Sequence, residues 1–291
     1  MLRHMLKSPK VPNRTVIIGA SGFVGSSIFM HLKAVGASVV GLTREHVDLL
    51  DIGAAKKLAS LLQPGDTVVA TSAIAPCRDC AMLADNMHMV ENILTALNLV
   101  DVSHVINISS DAIYADSDLP LTEASVTAPY SHHGAMHLAR EIGFLNEINA
   151  PLVNLRPTLI FGASDPHNGY GPNRFRRLAT KGDDLLLFGN GEEQRDHVFI
   201  DDVAELVFRV ICRKSIGTLN IATGHVKSFR WLAEKTQEIT GSKSSIISTE
   251  RVGLMPHRGY RPFDITACKE AFPDFNYTLI EEGLIKSLKE I

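Results

Sequence analysis

Short apolar runs alternate with longer amphipathic stretches through the first half of the chain. Residues 16–18, 38–42, 67–71, 104–108 and 152–155 are rich in Val, Ile, Leu and Ala and read as buried strands. Between them, residues 26–35, 52–62, 82–100 and 133–149 carry apolar positions at helical spacing. Pro64-Gly65-Asp66 marks a turn, and Pro157 closes the last strand of the series. This alternation predicts an α/β fold, a doubly wound parallel sheet with helices on both faces. Ligands of such sheets sit at the carboxyl ends of the strands.

Beyond Pro157 the pattern loosens. Residues 164–177, rich in Gly, Pro, Asn and Arg, read as an irregular functional loop. A short strand is expected at 185–188, a turn at Gly189-Asn190-Gly191, and a strand at 198–200 leading into a helix over 202–213. The last strand is expected at 219–221. A helix is expected over 229–240, with Trp231 and Leu232 on its core face. No internal repeat or low-complexity segment appears. The expected division is a first domain of residues 1–163 that regains about 196–224, and a smaller C-terminal one of 164–195 with 225–291.

One loop is chemically explicit. Gly19, Gly22 and Gly25 stand between the first strand and the first helix. The first glycine permits the tight turn, the second lets a pyrophosphate approach the backbone, and the third lets the helix pack on the sheet. The helix N-terminus offers free N–H groups to phosphate. A Rossmann-type dinucleotide site is the reading. An acidic residue closing the second strand would bind the ribose 2′-hydroxyl of NAD. The chain has Arg44 there, which suits a 2′-phosphate and points to NADP, while Glu45 keeps NAD open.

Composition narrows the classes. The 291 residues are 45% hydrophobic, enough for a sizeable core, and the net charge of −3 without a long basic run argues against nucleic acid. No apolar run approaches the ~20 residues of a membrane span. Residues 1–12 carry three basic residues and no apolar stretch, so they read as a tail rather than a secretory signal. Four cysteines are too few for a disulfide scaffold, and a reducing cytoplasm is the expected location. Cys77 and Cys80 form a Cys-x-x-Cys with no second ligand pair, so loop and helix-start thiols are expected; a redox motif is the other reading.

Several separate stretches together resemble the extended short-chain dehydrogenase/reductases, the group of nucleotide-sugar epimerases, dehydratases and keto-sugar reductases. They are the glycine loop of residues 19–25, Asp48-Leu49, Asn86, Ser109-Ser110-Asp111-Ala112-Ile113-Tyr114, Leu155-Arg156-Pro157, residues 187–192 and 195–203, Asn220 to Gly224, and 280–284. The resemblance implies an NAD(P)-dependent enzyme that moves a hydride on a nucleotide-linked sugar. It implies cofactor contacts at Gly19, Ser21, Gly22, Phe23, Val24, Gly25, Arg44, Asp48, Leu49, Ser72, Ala73 and Pro157. It implies Ser110 as the holder of the substrate oxygen, and Asn173 and Arg195 in the substrate half. Arg258 or Arg261 would be a second diphosphate-binding group. A homodimer through helices near 82–100 and 133–149 is also implied.

The family's Tyr-x-x-x-Lys pair is missing. Aligned on Tyr130, the Lys position is Gly134. Aligned on Pro129 and Glu141, the Tyr position is His133 and the Lys position His137, which keeps the family's usual separation from Ser110; this register is preferred. Two histidines at i and i+4 share one helix face. His133 suits a general acid or base, His137 a hydrogen bond to the ribose, and Tyr130 lies one turn earlier. A metal on these histidines is not expected, because His132 and His133 point apart and no carboxylate follows at a useful spacing. The rival class is a catalytically silent dinucleotide- or sugar-nucleotide-binding protein.

Overall fold

The computed structural model describes residues 2–289. The strands are β1 (Arg3–His4), β2 (Thr15–Ile18), β3 (Val39–Leu42), β4 (Thr67–Ala70), β5 (His104–Ile108), β6 (Leu152–Pro157), β7 (Leu159–Phe161), β8 (Leu185–Phe188), β9 (Gln194–Phe199), β10 (Ser215–Ile221), β11 (Val226–Ser228), β12 (Ile246–Thr249) and β13 (Tyr260–Arg261). The helices are α1 (Phe23–Ala34), α2 (Ala54–Leu61), α3 (Cys80–Asn98), α4 (His132–Glu147), α5 (Pro172–Lys181), α6 (Ile200–Arg213), α7 (Phe229–Thr240), α8 (Thr266–Ala271) and α9 (Ile280–Lys289).

The main sheet has the order β1-β10-β6-β5-β4-β2-β3. Its pairs are parallel except β1 on β10. Alternation along the strands explains how it is covered. In β2, Val16 and Ile18 face a core shared with Leu58 of α2, Ile93 and Leu97 of α3, and Phe144 of α4. Ile17 faces the opposite core, with Ile28 and Leu32 of α1 and Val203 and Val207 of α6. Both faces are buried, as a parallel sheet requires. Each buried Ile or Leu contributes about 1.5–3 kcal/mol. The strand order reverses between β2 and β4, and the crevice there is where the glycine loop lies.

Three expectations change. Residues 2–12 do not form a free tail: β1 pairs with β10, and Leu6 and Lys10 donate N–H bonds to the carbonyls of Arg213 and Cys212. The stretch 164–177 is not all loop. Helix α5 begins at Pro172, a residue suited to a first helical turn, and ends at Gly182 in the left-handed region (φ 77°). Its polar composition hid an amphipathic helix that buries Phe175 and Ala179. Strand β10 is also not the last. Strand β11 pairs with β9, β12 with β8 and β13 with β9, forming two small sheets. Leu232 is buried on α7 as expected, and Trp231 packs partly buried beside it.

Candidate active site

Two adjoining cavities open at the carboxyl ends of the strands. The smaller, about 180 Å³, is lined by Gly19, Ser21, Gly22, Thr43, Arg44, Asp48, Leu49, Thr71, Ser72 and Ala73, among others. The larger, about 580 Å³, shares Gly22, Thr71 and Ala73 with it. From there it runs past Phe23, Val24, Gly25, Pro157, Ser110, His133 and His137 to Arg195. A separate cavity of about 480 Å³, reached by Lys227 and Lys269, holds none of the predicted site residues.

The glycine loop has the shape of a diphosphate cradle. Gly19 has φ +94°, a conformation that excludes most side chains. A Cβ on Gly25 would stand 2.2 Å from the Gly19 carbonyl oxygen, so α1 can approach β2 only with glycine there. A Cβ on Gly22 would meet only that same oxygen, at 3.4 Å, and Gly22 lines both cavities. No side chain caps the N-terminus of α1, which leaves its first amides for a ligand's phosphates. These residues fit a dinucleotide. At the adenosine end, Arg44 is largely exposed and pairs with Asp48 at 3.5 Å, while Asp48 also accepts the Leu50 N–H. Asn86 clamps the loop above, accepting the Ile74 N–H at 2.9 Å and donating to the Ile74 and Met82 carbonyls.

Ser110 caps a short 3₁₀ turn, Asp111–Ile113, by accepting the Ala112 N–H at 3.1 Å. That bond holds its hydroxyl at the cavity wall. Helix α4 is capped in the same way by Ser131, whose hydroxyl accepts the Gly134 N–H. The helix packs against the 3₁₀ turn at Gly134, where a Cβ would lie 2.1 Å from the Ala112 carbonyl oxygen and 2.6 Å from Pro129 Cβ. A lysine cannot occupy that position without moving the helix. Gly134→Ala is expected to destabilise the fold by about 1–3 kcal/mol through overpacking; an unchanged denaturation midpoint would contradict this contact.

His133 and His137 stand one turn apart on the cavity side of α4, their rings edge-to-face at 4.7 Å. Burial lowers the His133 pKa below its usual 6.5, opposed by the Asp111 charge. Burial, His133 and Arg140 lower that of His137 well below the same value. Nδ1 of His133 lies 3.5 Å from the N–H of Cys77. The Cys77 donor therefore places the proton of a neutral His133 ring on Nε2. Arg140, one turn further along, is buried and donates to the Ala70 and Ser72 carbonyls and to Asn107, and burial pushes it down to about 10. The sequence reading did not single it out; its signal was the continuation of the helix face that carries His133 and His137. Asp111, His167 and His257 of the cavity wall were also missed.

Arg195 reaches the wall with loose contacts, 3.7 Å to Asp111 and 3.4 Å to Glu193. The structure does not bring the other expected substrate residues there. Arg261 is buried and donates to Asp111 at 3.0 Å and to the carbonyls of Asp111 and Tyr114, so it is a structural tie. Arg258 is exposed beside Asp118. Asn173 is buried, accepting the Gly162 N–H and donating to the Ile160 carbonyl. Tyr130 stays outside, 67% exposed, with its hydroxyl 3.5 Å from Nε2 of His257.

The sequence profile of the NAD dependent epimerase/dehydratase family matches residues 15–222. The chain belongs to this family. Its relatives include the UDP-N-acetyl-alpha-D-glucosaminuronate decarboxylase of Bacillus cytotoxicus, 25% identical over 95% of this chain and 97% of that protein. Among solved structures, UDP-glucose 4-epimerase from Thermotoga maritima with UDP-glucose superposes with a TM-score of 0.83 at 22% identity, covering 95% of this chain and 97% of that one. RMD from Pseudomonas aeruginosa complexed with NADPH gives 0.81 at 20% identity, covering 96% and 98%. The epimerase/dehydratase fold is shared with both. This family member carries His133 and His137 on α4, and no lysine stands between Pro129 and Glu141.

Proposed function

We propose that the protein is an NAD(P)-dependent oxidoreductase, epimerase or dehydratase acting on a nucleotide-diphosphate sugar. The carrying observation is that the two cavities adjoin at Gly22, Thr71 and Ala73, which sets the glycine cradle beside the wall that Ser110, His133 and His137 share. UDP-glucose in the Thermotoga structure and NADPH in the Pseudomonas structure support the ligand classes. The bound nicotinamide would supply or accept the hydride. Ser110, anchored by the Ala112 amide, donates its hydroxyl hydrogen bond to the sugar oxygen. His133 faces the same space, and its neutral ring donates a hydrogen bond through Nε2–H; protonation at Nδ1 gives up the 3.5 Å contact with the Cys77 N–H, and the doubly protonated ring then passes its Nε2 proton to that oxygen. His137 hydrogen-bonds the nicotinamide ribose. Arg195 holds the sugar diphosphate, exchanging its long carboxylate contacts for shorter charged ones. Leu99, at the C-terminal end of α3, and Ile142 and Leu145 of α4 leave apolar surface exposed, which supports a homodimer; light scattering at micromolar concentration reads it.

The test is a titration with NADPH and NADH, followed by UDP-, dTDP- and GDP-linked keto-sugars with nicotinamide absorbance as the readout. Arg44→Ala is expected to weaken NADPH binding about 10- to 100-fold, the equivalent of one charge-assisted hydrogen bond, and to leave NADH binding unchanged. Equal loss for both would remove the 2′-phosphate role. Cofactor binding without turnover on any sugar would favour the silent binding protein.

A further inference from the structure

The Cys77-x-x-Cys80 pair has no part in that reaction, yet it stands against His133. Cys77 follows Ala75 and Pro76, which line the larger cavity, and is 4% exposed. Its sulfur lies 3.7 Å from the Asp79 carbonyl oxygen, and its N–H faces Nδ1 of His133. Cys80 opens α3 and is exposed, with Sγ 3.6 Å from Nε2 of His132. Both thiols are free, and Cys212 and Cys268 are buried elsewhere in the core.

We propose that Cys80 and Cys77 form a thiol–disulfide exchange site for a low-molecular-weight disulfide, and that its closure releases His133 from the Cys77 amide. His132 is placed to take the Cys80 proton. The Cys80 thiolate attacks one sulfur of a disulfide such as oxidised glutathione. That S–S bond breaks, one glutathione leaves as thiolate, and the other stays on Cys80. Cys77 then loses its proton, attacks Cys80 Sγ and expels the second glutathione. Two protein thiols become one disulfide, and their two electrons and two protons convert the incoming disulfide into two thiols. Burial pushes the Cys77 thiol up, which makes it the resolving rather than the attacking group. Drawing its sulfur from the Asp79 carbonyl to Cys80 moves the Cys77 backbone, and the neutral His133 ring is no longer confined to one tautomer. The exchange stands apart from the proposed reaction; only the part that His133 plays in catalysis rests on that reading.

The experiment treats the unsubstituted protein with oxidised glutathione and follows it by peptide mass mapping and histidine-ring NMR. Cys80 is expected to be modified at least about ten-fold faster than the other three thiols. Its adduct then gives way to a peptide short of two hydrogens across residues 77–80. The His133 signals, identified by their loss in His133→Gln, shift at that step and return with dithiothreitol. In Cys77→Ser the adduct stays on Cys80. A first adduct on another cysteine would overturn the proposal. So would an adduct that persists on Cys80 in the unsubstituted protein, or a closed disulfide with unmoved His133 signals. Neither readout needs a sugar substrate, so failure of the sugar-nucleotide reading leaves this test intact.

Discussion

His133→Ala is expected to lower turnover of a nucleotide keto-sugar by about 10²- to 10⁴-fold, the range a positioned acid or base supplies. Binding of NADPH should change little, because the cradle of residues 19–25 and the adenosine end are built from other elements. The pH profile separates an acid from a space-filling residue. Reduction of a carbonyl delivers a proton to the sugar oxygen. Burial lowers the His133 pKa below 6.5, so the protonated ring becomes scarce as pH rises through that lowered value. Reduction through His133 should therefore slow as pH rises from below 6.5, by about ten-fold per unit once the ring is mostly neutral. A tyrosine acid would hold its proton to much higher pH. A rate flat between pH 5 and 8, or an active His133→Ala protein, would remove His133 from proton transfer.

Glu141→Ala should have the largest effect on stability. Glu141, 2% exposed, accepts two bonds from Arg156, at 2.9 Å and 2.6 Å. Burial works against the Arg156 charge, and its interactions with Glu141 and Tyr114 together more than offset it. Arg156 also donates to the Tyr114 hydroxyl and the Glu123 carbonyl. Burial pushes that hydroxyl up to about 12, so it stays protonated and donates to Asn220. Removing the carboxylate leaves a buried guanidinium without its counter-charge, at about 3–5 kcal/mol. That is a large part of the 5–15 kcal/mol typical of a native protein. Glu141→Gln keeps an acceptor and should lose less. Chemical denaturation reads both variants. A loss below about 1 kcal/mol for Glu141→Ala would show that Arg156 finds another partner or water. The network lies behind the wall, since Arg156 precedes Pro157 and Tyr114 ends the turn that Ser110 caps, so turnover should fall with stability.

Local pattern made much of this protein legible. Strands β2 to β6 and helices α3 and α4 followed from apolar periodicity, because both faces of a parallel sheet must be buried and each helix shows one apolar stripe. The cradle followed from three glycines, because a turn with positive φ and a close helix approach each exclude side chains. Ser110, His133 and His137 were singled out by the resemblance to the family, from their positions along single elements. What stayed hidden depends on distant pairings. Arg261 resembled a free cation until it was found buried against Asp111, 150 positions earlier in the chain, and Asn173 was found spent on the β7 backbone. Strands β1, β11 and β13 have too few apolar residues to announce themselves and form on the edges that β10 and β9 offer. The sequence by itself determined the sheet, the cradle and the missing Tyr/Lys pair. Only the tertiary structure decided that Gly134 has no room for a side chain, that Tyr130 stands outside, and that Cys77 touches His133, because each depends on one element pressing on another far away in the chain.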